Sequence, residues 1–322
     1  MSMAYRPELD GLRAIAVLAV LGFHFAGPFV TGGSLGVDVF FTLSGFLITS
    51  ILVSEYERKG RIDVAAFLWR RILRLAPALI VLLTIYWVLC PLLWPTFVDQ
   101  RNRDVLTAIF YLTNLRQTFW PDENPLSHTW SLAIEEQFYV LWPWVIPALL
   151  RMSRGSAARL LLVAWAALTV CRYAWYLTLG GAGSYYFTPL HSTGILLGSA
   201  LALNPIPFRW GKIALVALMT LFIAGQTRTS LFVTIPVAEI LTVVIIANVP
   251  LFLAARPMQW VGRTSYGIYL WHVPIAWAVG FPRSLVDVFW LIAASVAAGA
   301  LSHWGVERWF IRRTLARPLR AA

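Results

Sequence analysis

Ten apolar runs of spanning or near-spanning length are set between short polar connections. They cover Leu12 to Val30, Leu35 to Val53, Ala76 to Leu93, Ser131 to Leu150, Leu160 to Leu179, Tyr186 to Leu203, Lys212 to Gly225, Leu231 to Leu253, Ser265 to Phe281 and Leu285 to Val306. About 20 apolar residues in helical form cross a hydrocarbon core of roughly 30 Å. The pattern therefore predicts an all-α polytopic membrane protein of about ten transmembrane helices, some short or tilted. The basic residues punctuate it on one side. Arg58, Lys59, Arg61, Arg70, Arg71 and Arg74 lie between the second and third runs, and Arg151, Arg154 and Arg159 between the fourth and fifth. Arg209 and Lys212 follow the sixth run, Arg256 and Arg263 the eighth, and Arg312, Arg313, Arg317 and Arg320 the last. The positive-inside bias then puts both termini in the cytoplasm. This holds provided Val105 to Leu115, a short segment ending in Asn114-Leu115-Arg116-Gln117, is re-entrant or interfacial rather than spanning. Trp94 to Thr129 then forms an outward-facing connection.

Composition narrows the class. Of 322 residues, 59% are hydrophobic and 13% charged, which excludes an ordinary soluble domain. A single membrane domain over residues 1–322 accounts for the length. Net charge is +11, but the positive residues sit in short loops between apolar runs, so topology accounts for them and nucleic acid is set aside as a partner. Cys90 and Cys171 fall in apolar runs without metal-ligand spacing; they read as packing residues, and no metal site is expected. The first run is followed at once by a second and lacks a small-residue cleavage site, so it reads as a span rather than a signal peptide. No internal repeat favours an inverted-repeat transporter.

Against this apolar background the ionisable residues stand out. Arg13 and His24 are eleven positions apart, close to three helical turns, so they share a face and are separated by roughly 16 Å along the axis. An ionisable group at intramembrane depth is a functional-site hypothesis by default, because hydrocarbon penalises it by a few kcal/mol or more. Counted from the outer ends of their runs, His24, Asp38 and Glu135 lie at roughly 9, 5 and 6 Å, in one layer. A carboxylate beside a neutral imidazole fixes its tautomer and makes it a general base for a hydroxyl, so these three are the catalytic candidates. The bland alternative is structural: a histidine hydrogen-bonded across helices, and carboxylates pinned by an Arg or a backbone donor.

The second candidate is Trp69-Arg70-Arg71-Ile72-Leu73-Arg74-Leu75-Ala76-Pro77. Arg71 and Arg74 share a helix face at the cytoplasmic mouth of the third run, with Arg70 beside them. Planar guanidinium forks suit phosphate oxygens, so this mouth suits a multiply phosphorylated anion. Anchoring to anionic membrane lipid is the competing reading of the same charges. Weaker signals are His128, an interfacial residue on the bland reading; Arg172 and Glu239, which form a possible pair; and His272, just before a helix-kinking Pro274. The sixteen Trp fit membrane-interface belts, with some available to line a sugar pocket.

The chain resembles the acyltransferase-3 group of bacterial integral-membrane O-acyltransferases. The resemblance rests on Arg6-Pro7-Glu8-Leu9-Asp10-Gly11-Leu12-Arg13 with His24 further along, on Gly36-Val37-Asp38-Val39-Phe40-Phe41-Thr42-Leu43-Ser44-Gly45-Phe46, and on Arg70-Arg71-Ile72-Leu73-Arg74-Leu75-Ala76-Pro77. Trp130-Ser131-Leu132-Ala133-Ile134-Glu135-Glu136-Gln137-Phe138-Tyr139, Ser265-Tyr266-Gly267-Ile268-Tyr269-Leu270-Trp271-His272 and Val306-Glu307-Arg308 continue it in order along almost the whole chain. The resemblance implies about ten membrane helices, an acyl-coenzyme A donor taken from the cytoplasm, and transfer to a hydroxyl, usually of a carbohydrate. It further implies that Arg13 and His24 are essential and that Arg71 and Arg74 serve the donor. Two positions depart from the pattern: His191 stands where many relatives carry Arg, and Trp309 follows Glu307-Arg308 where Pro is usual. The chain ends soon after its tenth run, so no appended extracytoplasmic domain is expected.

The sequence-based expectation is thus an acyl-coenzyme A-dependent O-acyltransferase of the bacterial cytoplasmic membrane, with acetyl the expected group. Arg13, Arg70, Arg71 and Arg74 would hold the donor, and His24, Asp38 and Glu135 would carry the chemistry. The acceptor would be a sugar, a glycolipid or a glycosylated metabolite, and no tightly bound cofactor is called for. The competing classes are a transporter or proton-coupled carrier, whose pathways also use intramembrane His, Asp, Glu and Arg, and a scaffold or sensor without catalysis.

Overall fold

The computed structural model describes residues 5–181, 183–224 and 228–311; the closing basic cluster of Arg312, Arg313, Arg317 and Arg320 lies outside them. Every regular element among the described residues is helical. In order these are α1 (Pro7–Phe25), α2 (Gly36–Lys59), α3 (Val64–Leu93), α4 (Arg101–Ile109), α5 (Thr113–Phe119), α6 (Trp130–Leu149) and α7 (Arg154–Leu179). Then follow α8 (Gly183–Tyr186), α9 (Thr188–His191), α10 (Thr193–Leu203), α11 (Gly211–Ile223), α12 (Arg228–Ala247), α13 (Arg256–Val279) and α14 (Leu285–Ser302). By length and composition four helical stretches suit a membrane crossing, Gly33–Lys59, Val64–Leu93, Arg154–Leu179 and Leu285–Ile311, and Thr193–Leu203, Gly211–Ile223 and Phe232–Ala247 are shorter apolar helices. The apolar windows of Arg154–Leu179 and Leu285–Ile311 are only 11% and 22% buried. They turn Val163, Val170, Leu177, Phe289, Trp290 and Leu301 outward, a surface that calls for lipid rather than water.

α1 is the central post. Leu12, Ala14, Ala16, Val17 and Leu21 are all fully buried, and α2 and α13 pack along it. Close approach depends on missing side chains: a Cβ at Gly262 of α13 would lie 1.8 Å from the Asp10 carbonyl oxygen of α1. α2 and α10 meet in the same way, since a Cβ at Gly45 would lie 2.0 Å from the Ile195 oxygen and one at Gly198 2.0 Å from the Thr42 oxygen.

α3 begins twelve residues before the apolar run that marks it. Gly60 ends α2 at φ 71°, and the Asp63 side chain caps α3 by accepting from the Ala66 N–H at 2.9 Å. Arg71 and Arg74 are therefore fixed on a continuous helix rather than in a loop. The segment expected not to span folds as α4 and α5, which at 1.5 Å per residue are about 14 and 10 Å long and too short to cross. The chain reverses between them at Tyr111, with φ 54°. Arg116 of α5 is buried and ion-paired with Asp104 of α4 and with Asp122, while the Tyr86 hydroxyl of α3 donates to Asp104 at 2.8 Å.

The sixth apolar run, expected as one helix, is instead broken into α8, α9 and α10. The interruptions at Phe187 and Ser192 free backbone carbonyls, and buried side chains take them up. Asn114 Nδ2 donates to the Tyr186 oxygen at 3.2 Å, Arg172 Nη1 to the Leu190 oxygen at 3.3 Å, and His191 Nδ1 to the Tyr185 oxygen. Arg172 and Glu239, read as a possible pair, are bridged by Thr193, whose hydroxyl accepts from Arg172 at 3.3 Å and donates to Glu239 at 2.6 Å.

Candidate active site

A cavity of about 480 Å³ opens beside the N-terminal end of α1 and runs between α1, α2, α3, α6 and α13. Four arginines, Arg6, Arg13, Arg71 and Arg74, line it against two carboxylates, Asp10 and Glu135. Arg6 and Asp10 are already engaged: Arg6 donates to the Ile246 oxygen at 2.9 Å, and Asp10 accepts from Tyr5 and from Arg263 at 3.3 Å. The rest of the charged wall is three guanidinium groups and Glu135, with Glu136 close behind Arg71 and Glu307 beside Arg74. Arg71 lies over the Tyr139 ring at 3.9 Å, and Tyr139 is hydrogen-bonded to Ser44. Arg13 and Arg71 repel Arg74, whereas both attract Glu135. The Nε atoms of Arg13 and Arg71 are buried without a partner. A concave site with three guanidinium groups on its wall and unused N–H groups suits an anion.

A side chamber of about 140 Å³ adjoins it, sharing Asp10, Arg13, Arg74, Ser265 and Tyr266 and adding Arg263, His303 and Glu307. Glu307 sits on a π-helical turn that continues α14, where it accepts from His303 at 3.1 Å and from Ser302 at 3.2 Å.

Ser131 and Tyr269 also line the main cavity. The Tyr269 hydroxyl donates to the His128 carbonyl at 2.9 Å and so accepts from Ser131 at 2.6 Å. Behind this ring lies His24, half-buried in the last turn of α1. Its Nδ1 donates to the Val20 oxygen at 2.9 Å. A carbonyl can only accept, so Nε2 is the nitrogen left to take a proton. The His24 ring packs edge-on against His272 at 4.8 Å, and His272 in turn lies 5.3 Å from Tyr269. His24 therefore stands one ring beyond the cavity rather than on its wall.

The expected residues separate into groups. Arg13, Arg71, Arg74 and Glu135 are brought together in the cavity. Arg70, one position from Arg71 and so about 100° round the helix, faces away and lies 3.7 Å from Glu55. Asp38 is, with Glu135, one of the two carboxylates that the sequence offers as a partner for His24. It is fully buried and bonded instead to His191 Nε2 at 3.0 Å, at the break before α10. Val20, not either carboxylate, orients the His24 imidazole, because its carbonyl lies one turn below the ring. Tyr139 and Tyr269 were not singled out from sequence, although Tyr139 lies one turn from Glu135 on the same face and that spacing would have found it. Among the described residues no group of His, Cys, Asp and Glu has an arrangement that holds a metal ion.

The chain is 35% identical over 310 residues to the O-acetyltransferase OatA of Staphylococcus aureus, covering 85% of this chain and 51% of that protein. It is 32% identical over 311 residues to the peptidoglycan O-acetyltransferase OatA of Listeria monocytogenes, covering 85% of this chain and 50% of that protein. The chain thus spans about half the length of these curated relatives. No solved structure matches it. A family model described as an acyltransferase domain matches residues 6–305, and the chain belongs to that acyltransferase-3 family.

Proposed function

We propose that this protein is an O-acyltransferase of the bacterial cytoplasmic membrane, moving an acyl group, acetyl in the first instance, from coenzyme A to a hydroxyl of an envelope carbohydrate or glycosylated small molecule. One observation carries the reading: Arg13, Arg71 and Arg74 line a cavity whose wall includes Tyr269, one ring short of His24. The roughly 16 Å from Arg13 to His24 along α1 suits a donor whose anionic end and reactive thioester are joined by a long flexible arm. Arg13, Arg71 and Arg74 hold the phosphates, with Glu135 ordering Arg13 and Arg71. The His24 Nε2 takes the acceptor's hydroxyl proton as that oxygen attacks the thioester carbonyl. The new C–O bond forms, the C–S bond breaks, and the proton passes to the departing thiolate. The name of the Listeria relative supports a cell-wall glycan as acceptor class. Cells carrying the protein should bear more base-labile acetyl ester on envelope glycans than cells lacking it; equal ester content would contradict the proposal.

Its topology is ten membrane helices, with α1 and α3 entering from the cytoplasm and the α4–α5 hairpin facing outward. A cysteine at the exposed Trp120, in a chain with Cys90 and Cys171 replaced by alanine, is expected to react with an impermeant maleimide added outside intact cells. Labelling from the cytoplasmic side alone would overturn that orientation.

A further inference from the structure

Three imidazoles share one cluster beyond Tyr269. The His272 ring lies 4.8 Å from His24 and 5.3 Å from His128. Each is oriented by giving an N–H to the backbone. Pro274 has no N–H, so the carbonyl of Leu270, four residues earlier, lacks its helical donor; His128 Nε2 donates to it at 3.1 Å. His272 Nδ1 donates to the Tyr269 oxygen at 2.6 Å, as His24 Nδ1 does to Val20. The second nitrogen of each ring is therefore a lone pair. His128 Nδ1 and His272 Nε2 are buried and have no partner, in rings that are 5% and 0% exposed. Buried acceptors are nearly always matched by a donor, and here two unmatched ones lie in neighbouring rings, that of His272 packing against His24.

We propose that His128 and His272 form a binding subsite for hydroxyl groups of the acceptor, a neutral polyol held so that one of its hydroxyls faces His24. A hydroxyl gives the proton these nitrogens need. A phosphate or carboxylate has none to give, so the subsite rejects the anionic donor that the arginine cavity attracts. The two substrates are sorted to opposite sides of Tyr269 by hydrogen-bond polarity and charge. This inference rests on the acyltransferase reading above.

Two near-isosteric substitutions separate binding from packing. His272→Asn keeps an amide N–H at the Nδ1 position for the Tyr269 carbonyl and removes the Nε2 lone pair. His128→Gln keeps the N–H toward Leu270 and removes the Nδ1 lone pair. With radiolabelled acetyl-coenzyme A and solubilised peptidoglycan glycan strands, each is expected to raise the KM for glycan about tenfold. The KM for acetyl-coenzyme A and the thermal midpoint should not change. A glycan KM within twofold of the unaltered protein in both variants, or a fall in kcat alone, would overturn the subsite. Should either variant unfold, partly O-methylated strands tested on the unaltered protein replace it: a raised KM is expected, and an unchanged one refutes the proposal. No transfer to glycan by the unaltered protein would sink the enzymatic reading and this inference with it. Transfer with unchanged glycan KM in the variants would sink this inference alone.

Discussion

His24→Ala is expected to lower acyl transfer by about 10²- to 10⁴-fold, the contribution of a positioned general base, while donor binding and folding persist. The proton of an alcohol must leave near neutral pH as the oxygen attacks, and imidazole, with an unperturbed pKa of about 6.5, is matched to receive it. The structure adds an assignment: Nδ1 is tied to the Val20 carbonyl, so Nε2 is the reactive nitrogen. His24 is half-buried in the last turn of α1 and its hydrogen bond is to its own helix, so removal should spare the fold. His24→Gln can hydrogen-bond but cannot take up the proton, and should be nearly as inactive as alanine. Substantial turnover by the Gln variant, measured as coenzyme A release, would make His24 a positioning residue and not the base.

Arg71→Ala and Arg74→Ala are each expected to weaken acetyl-coenzyme A binding by about 10- to 100-fold, since hydrogen bonds to a charged partner contribute roughly 1.5–3 kcal/mol. Both side chains line the cavity that Arg13 also enters. Lysine at either position should recover only part of the affinity, because it restores the charge without the planar fork. Arg71→Lys should be the poorer rescue of the two, as it also gives up the stack on Tyr139. Arg70→Ala provides an internal comparison: its side chain faces Glu55, and its loss should change donor affinity less than twofold to threefold, the scale of an exposed ion pair. Equal losses at all three positions, read by isothermal titration with coenzyme A, would point to lipid anchoring rather than donor recognition.

Much of this architecture is readable in the chain because membrane helices announce themselves by length. The helical face shared by Arg13 and His24 and the shortness of Val105 to Leu115 follow directly from residue spacing. Hydropathy hides what polar residues do. It marks the third element only from Ala76, although Gly60 and Asp63 carry the stop and cap signals that set the start of α3 at Val64. It reads Tyr186 to Leu203 as one run, because apolarity does not register that Asn114, Arg172 and His191 take up carbonyls freed within it. Depth arithmetic put His24, Asp38 and Glu135 in one layer, but depth carries no azimuth. Asp38 turns toward His191, 153 residues away, and only tertiary packing reveals that. The Pro274 kink and His128 were each visible alone, but their link through the Leu270 carbonyl was not.

The most direct test of the whole account is stoichiometric transfer by the purified protein in vesicles, with radiolabelled acetyl-coenzyme A supplied on the face of Arg71 and Arg74 and solubilised glycan strands present. The account predicts base-labile acetyl ester on the glycan, one coenzyme A thiol released for each ester formed, and neither product with His24→Ala. Ester formation undiminished in His24→Ala, or glycan and coenzyme A both left unchanged by the unaltered protein, would contradict it.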